Sequence, residues 1–307
     1  MSNQQLHQLK IRCPACDTGR LRMTPETALS AQCDHCQASF PLAQGFLDLR
    51  PDSSQHRTFS QKLMEWEPLV NRYEGRWWRS GIFAAWLFGI SFREEQSLIF
   101  QLADLQGDKR VLDLACGPGT YTLPFARQLP EGCVAGLDLS VPMLVKGATK
   151  IREAAIGNVL FLHGDAEHLP FPDDEFHHVN CCGALHLFAD LPRALKEIHR
   201  VLKPGGRMTA TACRNWFPAG FAQTLAASHH RHFGVRLFRA RNLESHLRQA
   251  GFRKVRWHHK KRYWMVLSAR KVAGLAIDEK EIPEQGGWQA EKLSPLGSGN
   301  HNPRRVA

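Results

Sequence analysis

The chain has 307 residues, 43% of them apolar and 22% charged, and its 40 Lys and Arg against 29 Asp and Glu leave a net charge of +11. That length suits one α/β domain of about 200 residues plus a smaller module, and no apolar run reaches the roughly 20 residues of a membrane-spanning helix, Gly81–Phe92 being the longest. Nine cysteines and a polar start, Met1–Lys10, without an apolar signal core argue for a reducing, cytoplasmic setting over a secreted disulfide scaffold.

Residues 11–50 carry two C-x2-C pairs, Cys13-Pro14-Ala15-Cys16 and Cys33-Asp34-His35-Cys36, with sixteen residues between them. Each pair sits on a tight knuckle, and four thiolates can close a tetrahedral shell around zinc. Such a shell has no open position, so the expected Zn2+ is structural, with Cys13, Cys16, Cys33 and Cys36 as ligands. Short strands at Arg20–Thr24 and Leu29–Gln32 make this module a small N-terminal zinc ribbon. Residues 51–105 read as helical and aromatic. They hold Trp66, Trp77, Trp78 and Trp86, four of the eight tryptophans, with Phe83, Phe88 and Phe92. This segment is either a lid over an apolar acceptor pocket or a helix buried against the sheet.

Residues 106–271 alternate strands and helices. Strands are predicted at Arg110–Leu114, Gly132–Asp138, Val159–His163, Glu175–Cys182 and Gly206–Cys213, and helices at Tyr121–Gln128, Pro142–Ala155, Leu191–Val201 and Asn242–Ala250. Phe252–His258 and Tyr263–Ala269 follow as a closing hairpin. The alternation predicts an α/β domain with a mostly parallel sheet and an antiparallel edge strand. Residues 272–307, rich in Gly, Pro, Asn and charge, are expected to be a disordered tail.

The most specific stretch is Val111-Leu112-Asp113-Leu114-Ala115-Cys116-Gly117-Pro118-Gly119, an apolar strand running into a glycine turn. Such a turn lets backbone approach a ligand closely. Asp138 ends the next strand, where a doubly wound fold places a ribose-binding carboxylate. Gly164-Asp165-Ala166, Leu169-Pro170-Phe171 and Val201-Leu202-Lys203-Pro204-Gly205-Gly206 follow in order. Together these motifs resemble class I S-adenosylmethionine (SAM) methyltransferases, over roughly Asp104–Lys271, and imply their Rossmann-like fold. A dehydrogenase reading of the first motif lacks its third glycine and leaves the later motifs unexplained.

The resemblance implies SAM as cofactor. Gly117 and Gly119 would lie against its methionine part, with Asp113 near the amino group. Asp138 would take the ribose hydroxyls, Met143 would pack on the adenine, and Asp165 would accept from the adenine amine, with the Ala166 backbone nearby. Ala115, Leu139 and Cys182 complete the implied cofactor set. Acceptor-side residues follow the fourth strand, at Asn180-Cys181-Cys182-Gly183-Ala184-Leu185-His186, where His186 is the candidate base or orienting group. No Asn-Pro-Pro-Tyr occurs there, which argues against the amine and amide methyltransferases that carry it.

The order of ribbon, aromatic segment and transferase domain resembles a set of bacterial and chloroplast methyltransferases whose domain is similar to quinone-biosynthesis enzymes. That implies a small, apolar or aromatic acceptor. The alternative partner is RNA, by analogy with ribosomal guanine-N1 methyltransferases that also join a zinc module to this fold. It rests on residues 229–271, which hold thirteen Lys and Arg against one acid, Glu244. A non-catalytic binding protein is a third reading, opposed by the intact Gly117, Gly119, Asp138 and Asp165.

Overall fold

The computed structural model describes residues 9–23, 30–50, 66, 81–215 and 234–273. Trp77, Trp78, most of residues 51–80 and all but the first two residues of the 272–307 tail lie outside that set, as do residues 229–233 of the basic stretch.

The centre of the fold is a parallel set of strands: β5 (Arg110–Leu114), β6 (Cys133–Asp138), β7 (Val159–His163) and β8 (Phe176–Cys181). Their side chains are buried on both faces almost throughout, as expected of parallel strands covered by crossover helices. Those helices are α3 (Thr122–Gln128), α4 (Val141–Glu153, with Pro142 in its first turn) and α5 (Leu191–Val201, capped by the Asp190 side chain). Upstream lie α1 (Ile82–Phe88) and α2 (Phe92–Ala103); a Ser91–Glu94 capping box starts α2.

The Leu202–Gly206 segment does not precede the fifth strand but is part of it. β9 runs Leu202–Cys213, and Phe176 pairs with Leu202 while His178 pairs with Arg207, so the glycines bulge out of the ladder. α6 (Ala240–Gln249) leads to β10 (Arg253–Lys261) and β11 (Trp264–Arg270). β11 pairs antiparallel with β9, and β10 is the outermost strand. Its exposed Lys254, Arg256, Lys260 and Lys261 protect that edge from pairing with another chain.

The cysteine-rich module is continuous with this sheet. β1 (Leu21–Met23), β2 (Ser30–Cys33) and β3 (Ser39–Ala43) form an antiparallel meander, and β4 (Phe46–Asp48) pairs parallel with β7. The strand order is β1-β2-β3-β4-β7-β6-β5-β8-β9-β11-β10. The order reverses between β5 and β8, and the carboxyl ends of the strands there form the crevice where ligands of open α/β sheets bind.

Candidate functional site

A cleft of about 850 Å3, including the solvent at its mouth, opens at those strand ends. Ala115, Gly117, Asp138, Leu139, Met143, Asp165, Ala166 and Cys182 all line it. The chain thereby brings together residues as far apart as 115 and 182.

Asp138 is the centre of the turn. Its Oδ2 accepts from the Gly117 amide (2.7 Å) and its Oδ1 from the Ser140 amide (2.8 Å). Burial pushes its pKa up, and the amides of Ser140, Gly117 and Leu139 oppose that by favouring the charged form. Gly117 has a left-handed φ of +54°, and a Cβ there would meet no atom within 4 Å, so its backbone faces open space. Ala115 holds φ +53°, strained for a side-chain-bearing residue, on the wall of the same cleft.

Three expected residues stand elsewhere. At Gly119 a Cβ would come within 2.6 Å of Leu123 and 3.1 Å of Phe161, so this glycine permits close helix–sheet packing and does not line the cleft. Asp113 is 2% exposed beneath the cleft floor and accepts from Thr122 Oγ1 (2.6 Å) and Asn180 Nδ2 (2.8 Å). It organises β5, β8 and α3 and does not reach the cleft lining. His186 is also outside the lining. It is buried, its carbonyl accepts from the Arg236 amide, and its ring meets Trp264 edge-on at 5.9 Å.

Burial raises the Asp113 pKa to about 6. A raised carboxylate binds its proton more tightly folded than unfolded, so its contribution to stability falls as pH rises from about 4 to about 6. Between pH 5 and pH 7 the wild type should lose about 1 kcal/mol relative to Asp113→Asn, which cannot titrate there. Urea melts of both proteins at the two pH values measure this, and a pH-independent difference would refute it.

The buried network behind His186 has no local signature in the sequence. Glu95, 2% exposed on α2, accepts from Tyr121 Oη (2.5 Å) and Trp264 Nε1 (2.6 Å). In sequence it reads as one more acid in a helix's first turn. The described part of the aromatic segment docks on the sheet: Phe88 packs on Trp264 at 4.8 Å and Phe92 on Tyr121 at 6.1 Å. Phe83 and Trp86 are exposed, and none of these four rings lines the cleft.

At the other end of the chain the four cysteines converge. Cys13 and Cys36 Sγ lie 3.7 Å apart, as do those of Cys16 and Cys33, and all four lie within 4.8 Å of one another. A tetrahedron with metal–sulfur bonds of about 2.3 Å has edges of about 3.8 Å, whereas a disulfide would need about 2.05 Å. Backbone amides of Gly19, His35 and Cys36 donate to the sulfurs of Cys16 and Cys33. Donors at Thr18 and Gly19 pull the Cys16 pKa down to about 5, while burial pushes Cys13 up to about 12. The set fits a structural metal.

Residues 111–206 match the family described as a methyltransferase domain. The chain's strand order is that of the Rossmann-like fold of class I methyltransferases. Demethylmenaquinone methyltransferase from Geobacillus kaustophilus is 40% identical over 121 residues, which are 38% of this chain and 52% of that protein. The chain thus spans about half the length of the curated relatives it matches. Among solved structures, a SAM-dependent methyltransferase from Aquifex aeolicus superposes with a TM-score of 0.51 at 17% identity, covering 67% of this chain and 98% of that one. The 4+2 cyclase SpnF gives 0.56 at 24% identity, covering 71% and 98%. The cyclase's name shows that this fold alone does not dictate the reaction.

Proposed function

We propose that the protein is a SAM-dependent methyltransferase that transfers a methyl group to a small, apolar or aromatic acceptor by in-line displacement, and that its cysteine cluster binds a structural zinc. The observation that carries the reading is the cleft itself, where Asp138 and Asp165 flank an open glycine backbone at the sheet's switch point. The similarity to demethylmenaquinone methyltransferases supports an acceptor of quinone-like size and polarity.

Bound SAM supplies a methyl on a sulfonium, already a good leaving group. The chain's task is therefore alignment and exclusion of water. Asp138 would hold the ribose, Met143 and Leu139 would enclose the base, and the Gly117 backbone would lie along the amino-acid end. Cys182, Gly183 and Ala184 face the cleft from the β8 side and would shape the acceptor's approach. His186, beyond the lining with its ring against Trp264, would orient an acceptor indirectly, by supporting the Gly183–Ala184 wall of the cleft.

The test is transfer from labelled SAM to a lipid and small-molecule extract compared with total RNA. Label in the lipid or small-molecule fraction, lost in His186→Ala while SAM binding persists, is the expected result. Label in RNA, with affinity falling steeply as salt rises, would replace this reading with the RNA one.

A further inference from the structure

The cysteine module is joined to the cleft at both of its ends. Just before the first knuckle, the Arg12 amide donates to the Pro170 carbonyl (2.9 Å), in the loop that follows Asp165. After the second knuckle, β3 turns through Gln44 and Gly45, both at positive φ, into β4. The turn is packed so closely on α4 that a Cβ at Gly45 would lie 2.7 Å from Ala148.

β4 then brings two side chains to the strand end beside the cleft. Asp48 pairs in register with His163 and accepts from its Nδ1 (2.7 Å). The Asp48 carboxylate also takes the Arg50 amide (3.0 Å), which sets the direction in which the chain leaves the strand. The Arg50 guanidinium reaches Asp165, with Nη1 3.5 Å from Oδ2 and both side chains largely shielded, at 15% and 24% exposure. The other Asp165 oxygen accepts from the Glu167 amide (3.0 Å). A carboxylate held through both oxygens has a fixed orientation toward the cleft it lines, and a shielded ion pair is screened less than a surface one.

We propose that Arg50 is a specificity-determining positioning residue: it holds Asp165 in place to accept from the amino group of the cofactor's adenine, so that metal occupancy of the cysteine module sets both cofactor affinity and base discrimination. This rests on the SAM reading above. A carboxylate fixed this way favours an exocyclic amine, a donor, and disfavours an oxo group, an acceptor. Loss of the metal releases the knuckles between Arg12 and Arg50, the two points by which the module grips the 165–171 loop.

The experiment is calorimetric titration of the full-length chain with S-adenosylhomocysteine and with S-inosylhomocysteine, which carries an oxo group in place of the amine. Wild type should prefer the adenosyl ligand by 10-fold or more. Arg50→Ala should weaken adenosyl binding about 10-fold and reduce the preference toward unity, and Arg50→Lys should recover most of both. Metal-stripped wild type should show the same loss, and stripping Arg50→Ala should add little, because the two changes act on one contact. If stripping unfolds the chain, as circular dichroism would show, the Arg50→Ala and Asp165→Asn double-mutant cycle replaces it, with non-additive losses expected. Failure of wild type to bind S-adenosylhomocysteine would overturn the SAM reading and this proposal with it. Binding by wild type with an unchanged adenosyl preference in Arg50→Ala would overturn this proposal alone. An altered Arg50→Ala beside an unaffected, folded metal-stripped protein would overturn the coupling to the metal, and additive losses in the cycle would overturn the Arg50–Asp165 contact and the proposal with it.

Discussion

Asp138→Asn should weaken SAM binding by about 100-fold or more, since two charge-assisted hydrogen bonds to the ribose would be lost or reduced at about 1.5–3 kcal/mol each. The substitution is nearly isosteric, yet it cannot be silent. Asp138 accepts from the Gly117 and Ser140 amides with its two separate oxygens. An asparagine offers one oxygen, so its NH2 must face one of those N–H groups, and the glycine turn loses a tether as well as a charge. Calorimetry gives the affinity, and circular dichroism shows whether the fold survives. An unchanged Kd would remove Asp138 from the ribose-binding role.

Cys13→Ser is the second large effect. The purified wild type should carry one zinc per chain, and the variant should carry none. Cys13 and Cys33 are fully buried, so the module loses its centre when the metal leaves. The loss should cost about 3 kcal/mol, on the scale of a disulfide removed from a small module, which corresponds to a fall of about 6–12 °C in Tm for a domain of this size. The fall should reach the α/β domain, because β4 is a strand of its sheet and Phe46 and Leu47 are buried beside β7. A variant that keeps stoichiometric zinc would refute the site, and an unchanged Tm in a zinc-free variant would refute the structural role.

Much of the cleft was legible from sequence because its requirements are local. A strand that must turn sharply against a ligand needs glycine at Gly117, and the next parallel strand, ending in Asp138, lies directly beside the strand that carries the turn. The cysteine pairs were legible for the same reason, since C-x2-C knuckles bring two sulfurs together without help from the rest of the chain. Gly119 and Asp113 show the limit. Both belong to the same motif, but one meets Phe161 and the other Asn180, residues 42 and 67 positions away. Whether a motif residue touches a ligand or supports the one that does depends on such partners. Glu95 was invisible for a related reason: an acid in a helix's first turn is ordinarily solvated, and only the docking of α2 on Trp264 and Tyr121 buries it.

The alternation of strands and helices, the glycine turn, the acidic strand ends and the four-thiolate cluster are all written in short windows, by backbone geometry or ligand spacing. That the cysteine module is part of the α/β sheet is set by long-range packing alone. β4 is three residues long and has no period to read, and its pairing with β7 is fixed by burial of Phe46 and Leu47 and by Asp48 meeting His163, 115 residues away. That register, which no local rule specifies, places Arg50 beside Asp165.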